Sequence, residues 1–238
     1  MTLRVFHPCY FHFKDQDVRV VGSEVDGGTS LAGISETVAI DGGGYWQADY
    51  SNANFGGRGG RRNETLAWRA ANAGMAGGQQ VVVRFCDLWH QPVGPRITVP
   101  HSDGSPFSDS SEYVSSGADA SVAAVVNGQS GGLNATIIDV TIASEKPLIG
   151  GERFTYIGAN GWADRCAEIV SVTDNGDGTF RIQLQPPIRG GIAVGDALDF
   201  DNPRCVMRRT SQPTNALNMG LFSSASITFV EDMRDPNP

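Results

Sequence analysis

Chemistry in this chain would have to come from a few short clusters. Asp174-Asn175-Gly176-Asp177-Gly178 sets oxygens at alternate positions, as a calcium loop does, but the twelfth residue from Asp174 is Gln185 rather than a bidentate Glu. Asn-Gly and Asp-Gly supply the positive φ angles of tight turns, so the segment reads as a hairpin turn. His7, Cys9 and His12 bring imidazole and thiol together as zinc or copper ligands can be. No further ligand pair is near them. The flanking Phe6, Tyr10, Phe11 and Phe13 indicate an apolar N-terminal strand or arm that packs on something. His90 and His101 stand without an evident nucleophile or acid, and no GxSxG elbow is present. Gly56-Gly57-Arg58-Gly59-Gly60 lacks the Gly-Lys-Ser/Thr ending of a phosphate loop. Asp196, Asp199 and Asp201 sit on a turn and a short strand, where nothing fixes the carboxylate separation that glycosidase chemistry needs. The expectation is no catalytic set, no metal and no cofactor. Cys9, Cys86, Cys166 and Cys205 form no CxxC pair, so they read as free thiols in a reducing compartment.

The scaffold that must position these groups has 238 residues, enough for one large or two small domains. Thirty glycines, 12 prolines and only 18% charged residues make turns and uncharged polar surface dominant. The formal net charge of −8 argues against a general phosphate-binding role. The longest apolar run, Val122 to Val126, is far too short to cross a bilayer, and the N-terminus lacks a secretory pattern. No membrane insertion and no export are expected.

Short β-branched or alternating runs predict strands at Val18–Val25, Glu36–Ile40, Tyr45–Tyr50 and Gln80–Cys86 in the first part. Thr136–Ile142, Arg153–Ile157, Cys166–Thr173, Thr179–Leu184 and Ala197–Phe200 follow, and Arg204–Thr210 and Ala225–Glu231 close the series. One helix is predicted over about 63–76, with Asn63 as N-cap, Glu64 in the first turn and an apolar face of Leu66, Ala67, Ala70, Ala71 and Ala73. Trp68 is read as its edge or a contact to a neighbour. Between His101 and Asn134 the chain is rich in Ser, Gly and Ala, with Asp103, Asp109, Glu112 and Asp119 and no base. This reads as a surface loop or an arm that orders against another subunit. Arg58, Arg61 and Arg62 form the one basic patch. They are candidate partners, across a subunit interface, for that acidic stretch. The division expected is an N-terminal β domain (1–100), the arm (101–134), a second β domain (135–200) and returning strands with a tail (201–238).

The order of these pieces resembles the tail-tip proteins of long-tailed bacteriophages. The resemblance is carried by Gly42-Gly43-Gly44-Tyr45-Trp46, Leu66-Ala67-Trp68-Arg69-Ala70, Gln80–Phe85, Gly150–Ile157, Ile182–Arg189, Asp201–Arg208 and Gly220–Glu231, and covers most of the chain outside 100–134. It implies a distal tail protein or close baseplate relative. The fold implied is mainly β: a tube-like β-barrel or sandwich with one flanking helix, plus a second β-rich domain inserted before the closing strands. The function implied is a homo-oligomeric ring, expected to be a hexamer, that joins the tail tube protein to the baseplate hub and tail fibre proteins. DNA would pass only in transit, and an acidic lumen would repel it. The virion tail, assembled in the bacterial host cytoplasm, is the implied location. An alternative is a peripheral module binding carbohydrate or receptor through Tyr45, Trp46, Trp89, Tyr156 and Trp162.

Overall fold

A computed structural model describes residues 3–33, 35–39, 42–56, 61–87, 90–92, 98–99, 105, 113–114, 123–126, 131–158, 164–213, 216–218 and 222–234. In chain order the strands are β1 (Arg4–Phe6), β2 (Asp15–Val21), β3 (Glu24–Thr29), β4 (Ser35–Ala39), β5 (Tyr45–Gly56), β6 (Val81–Arg84), β7 (Thr98–Val99) and β8 (Tyr113–Val114). They continue as β9 (Ala123–Val126), β10 (Ile137–Ala143), β11 (Arg153–Tyr156), β12 (Arg165–Asp174), β13 (Phe180–Gln185), β14 (Arg204–Arg209), β15 (Ala216–Asn218) and β16 (Phe222–Glu231). A 3-10 turn covers Pro8–Phe11, and one α-helix, α1, covers Arg61–Gly74. The chain is therefore mainly β, with a single α-helix among the described residues and a curled, half-barrel main sheet.

The main sheet runs β1-β6-β14-β16-β5-β2, with β15 paired to β16. Its long strands alternate as a half-buried sheet must: Trp46, Ala48 and Tyr50 of β5 and Ala225, Ile227 and Phe229 of β16 face inward. In β6 the consecutive Val81, Val82 and Val83 are all buried, as suits a strand flanked on both edges and covered on both faces. The core of this half is aromatic. Phe6, Phe11, Phe13, Tyr50, Phe55, Trp68 and Phe229 form one cluster, with ring centroids 5.0 Å apart for Phe6–Phe229 and 5.4 Å for Phe13–Tyr50.

The second sheet, β11-β12-β13-β10-β9, has its own aliphatic core built on Ile138, Val140, Ile169, Ile182 and Leu184. It is inserted between β6 and β14, which are neighbours in the main sheet. Arg84 and Arg204 face each other in register, and the Phe85 N–H donates to the Pro203 carbonyl at 2.8 Å. The insert thus leaves and re-enters at one point, so it does not disturb the pairing around it.

Several expectations change. The helix starts at Arg61, so Asn63 lies inside its first turn rather than capping it. The run Val18–Val25 is two strands broken at Gly22-Ser23. Ala197–Phe200 makes isolated bridges at Ala197 and at Asp199, the latter to Thr155, in place of a strand. Within the stretch read as an arm, Ala123–Val126 is the edge strand β9, paired to Ile142 and its neighbours, and Tyr113–Val114 pairs with Thr98–Val99. A four-residue apolar run in Ser/Gly surroundings gains strand identity only from the strand beside it.

Candidate functional site

The sequence-derived interface residues separate into three groups. Arg58, Asp103, Asp109, Glu112 and Asp119 lie outside the described residues. Arg61 opens α1, and Arg62 is exposed on its first turn. Trp68 is a correction: it is fully buried inside its own chain, with ring centroids 5.5 Å from Phe11, 5.5 Å from Phe55 and 5.8 Å from Phe13. The buried face of α1 is Thr65 and Trp68, flanked by Ala67 and Ala71, with Met75 buried just past the helix end, while Leu66, Ala70 and Ala73 look outward. The largest apolar side chain removes the most surface from water, and it rather than the alanine count decides which face turns inward. That rotation leaves Arg62, Leu66, Arg69 and Ala73, at i, i+4, i+7 and i+11, as one exposed stripe.

The cysteines also depart from expectation. Cys9 and Cys86 are joined by a disulfide, their Cα atoms 5.8 Å apart. Parallel pairing of β1 with β6 sets Phe6 beside Val83, and three residues further along each strand the chain reaches Cys9 and Cys86 together. Cys9 is therefore not available as a thiolate ligand beside His7 and His12. Burial and the Arg84 guanidinium, 3.5 Å from His7 Nδ1, push the His7 imidazole below its ordinary value. Cys166 and Cys205 are free and buried, and burial pushes both thiols well up, so they stay protonated.

A groove of about 440 Å³ opens where the two sheets meet, lined by Lys14, Gln16, Asp17, Cys86, His90 and Arg153 among others. His90, read as isolated, has an acid partner: its Nδ1 lies 2.5 Å from Asp87 Oδ1. Spacing of i, i+3 was the available signal. Such a pair is the orienting half of a nucleophilic triad, but the described lining offers no Ser, Thr or free Cys for it to activate. Arg153 closes the inner wall, bonded to Glu168 at 2.8 Å and to the Val18 carbonyl at 3.0 Å, with its guanidinium 5.3 Å from the Trp46 ring centroid. Its charge is spent on joining the sheets.

That seam continues inward. Arg165, fully buried on β12, donates to Glu231 Oε1 at 3.3 Å and to the Asp232 carbonyl at 2.7 Å. The Trp46 N–H donates to the other Glu231 oxygen at 3.2 Å, and the Trp46 indole N–H to the Cys166 carbonyl at 2.7 Å. Burial raises the Glu231 carboxyl above its ordinary value, and the Arg165 charge pulls it back. At the rim, Gln185 donates to the Gly43 carbonyl at 2.6 Å, and Arg189 to the carbonyls of Gly42 and Gly44 at 3.2 and 3.0 Å. Gly43 sits at φ +102°, and a Cβ there would fall 2.6 Å from the Pro187 ring. Two motifs about 140 residues apart in sequence, Gly42–Trp46 and Ile182–Arg189, thus close on each other. Of the aromatics considered for ligand binding, Trp46 and Tyr156 are buried and Tyr45 is half-buried, while Trp89 and Trp162 lie outside the described residues.

No protein-family model matches this chain, and no curated protein matches it. No helix among the described residues is long and apolar enough to cross a membrane.

Proposed function

We propose that this chain is a structural ring component of a phage tail tip. In this reading it forms a homo-oligomer, expected to be a hexamer, between the tail tube and the baseplate hub with its fibres. DNA passes only in transit, and the protein is assembled in the host cytoplasm and carried in the virion tail. The observation that supports it is the architecture: a curled main sheet with one helix on its inner face and a second sheet inserted between the neighbouring strands β6 and β14. This is the plan that the resemblance implies. Both outer strands of the main sheet, β1 and β2, have one paired edge each among the described residues, and closed rings use such edges and projecting segments for head-to-tail contacts. The Cys9–Cys86 disulfide suits a protein whose final surroundings are oxidising, as for a released particle.

Light scattering on the purified chain, with negative-stain images of any large species, tests the reading. Closed rings of about six copies are the expected result, six being the copy number that the resemblance implies for closed cyclic assembly. A chain that stays monomeric and binds a glycan array instead would replace this reading with that of a peripheral receptor-binding module.

A further inference from the structure

The hairpin β3–β4 has little support from its own chain among the described residues. Every described side chain of Glu24–Thr29 and of Ser35–Val38 is exposed, and the two strands pair with each other outside the main sheet. Val25 stands directly opposite Val38, and the two remain 49% and 53% exposed, with Leu31 at the tip wholly in solvent. A lone two-stranded hairpin is marginal in water, and an apolar cross-strand pair contributes fully only when a surface covers it. Segment 24–39 is also one-signed, carrying Glu24, Asp26 and Glu36 and no Lys or Arg. Alternation along β4 sets Glu36 on the same face as Val38, so that face is apolar with an acidic margin.

The exposed stripe of α1 has the matching character. Leu66 is 44% exposed and is bracketed by Arg62 and Arg69, with Ala73 further along the same line. Among the described residues, no carboxylate lies in ion-pair contact with either arginine.

The two features join opposite ends of one strand along the chain. The hairpin leaves the sheet where Val21 pairs with Tyr45, at the start of β5, whereas α1 follows Gly56, the last residue of that twelve-residue strand. Donor and acceptor that are two different patches of one subunit make a heterologous contact, the kind that propagates from copy to copy and closes into a ring when the rotation allows.

We propose that β3–β4 is a docking arm for a second copy of this chain, seating its Val25–Val38 face and Glu36 on the Arg62–Leu66–Arg69–Ala73 stripe of that copy's helix. The proposal rests on the ring reading and names the contact through which copies join. Charge reversal on the full-length chain tests it, with association followed by light scattering. Glu36→Arg and, in a separate protein, Arg62→Glu/Arg69→Glu should each weaken association about tenfold or more, because like charges then face each other. Mixing the two proteins should restore it, through the one contact in which both partners are reversed. All three side chains lie on the surface, and unchanged thermal melting confirms that the variants fold. As a second readout, Val38→Cys protein mixed with Leu66→Cys protein should give a disulfide-linked dimer, with neither protein alone doing so. Reversal variants that assemble like the parent, or a Val38→Cys/Leu66→Cys chain that closes its bond within one monomer, would overturn the docking arm and leave the ring reading standing. A parent chain monomeric at every concentration would overturn both.

Discussion

Two hairpins of this chain both turn through left-handed glycines and differ in what surrounds the turn. In β12–β13 the Gly176 N–H donates to Asp174 Oδ1 at 2.8 Å and the Thr179 N–H to Asp177 Oδ1 at 2.9 Å, with Gly176 and Gly178 at φ +79° and +85°. In β3–β4 the turn is closed by the Gly33 N–H donating to the Ser30 carbonyl at 2.9 Å, with Gly33 at φ +75°, while the bond from the Gly28 N–H to Asp26 Oδ1, at 2.9 Å, lies at the register shift within β3. Both turn through left-handed glycines, but Asp side chains close only the first turn. Yet Ile169, Ile182 and Leu184 of the first are buried against β10 and β11, and its outward Arg181 reaches Asp139 at 2.9 Å. The second has no buried side chain among its described residues. Turn residues are enough to reverse a chain, but stability comes from the surface beneath the strands. A hairpin that lacks one within its own chain is available to a neighbour.

The largest effect that would sharpen this contrast lies at the root of the packed hairpin. Arg165→Met should cost about 3–5 kcal/mol, because it leaves Glu231 buried without its charge partner. Hydrogen exchange should show the loss along β12–β13 and leave the β3–β4 amides unchanged. Next, Ile182→Ala should destabilise the chain by about 2–5 kcal/mol in urea denaturation. Val38→Ala, the corresponding truncation in the bare hairpin, should stay within about 0.5 kcal/mol for the monomer. Equal costs would break the comparison, since Val38 would then have to be packed on its own chain.

The smallest effect is acid sensitivity of the packed turn. Hydrogen bonds from Thr179 hold the Asp177 carboxyl below its ordinary 3.8, and the Arg181 guanidinium does the same for Asp139. For a carboxyl lowered in the folded state, the stabilising contribution is complete above the unfolded value and is lost as pH falls through the folded one. The turn amides of 174–179 should therefore exchange no faster, relative to intrinsic rates, from pH 6 down to about 4, and lose protection below that. Loss of protection already at pH 5 would show that these carboxylates do not hold the turn.

Much of this was legible in the residues. The strands of both cores announced themselves by β-branched or alternating runs, the Asp174–Gly178 turn by its Asn-Gly and Asp-Gly steps, and the helix by its small-residue run. The candidate interface was legible in part: Arg62 does stand on the exposed side of α1, but Leu66 and Arg69 beside it were visible only once Trp68 had turned inward. The hairpin β3–β4 was missed as a unit because Gly27-Gly28 breaks the alternation within it and Gly22-Ser23 merges its start with β2 in a single β-branched run. His90 and Asp87 were close in sequence, but only the wall of the groove shows them as a pair.

The sequence by itself determined most of the strands of the two cores, where the packed hairpin turns and that one helix interrupts them, because backbone preferences and the two-residue period act over a few neighbours. Tertiary structure alone decided the Cys9–Cys86 bond, the burial of Trp68, the meeting of Gly42–Gly44 with Arg189, and the bareness of β3–β4. Each of these depends on which strand lies beside which and in what register, and register is set by contacts among residues tens to more than a hundred positions apart, which no local pattern encodes.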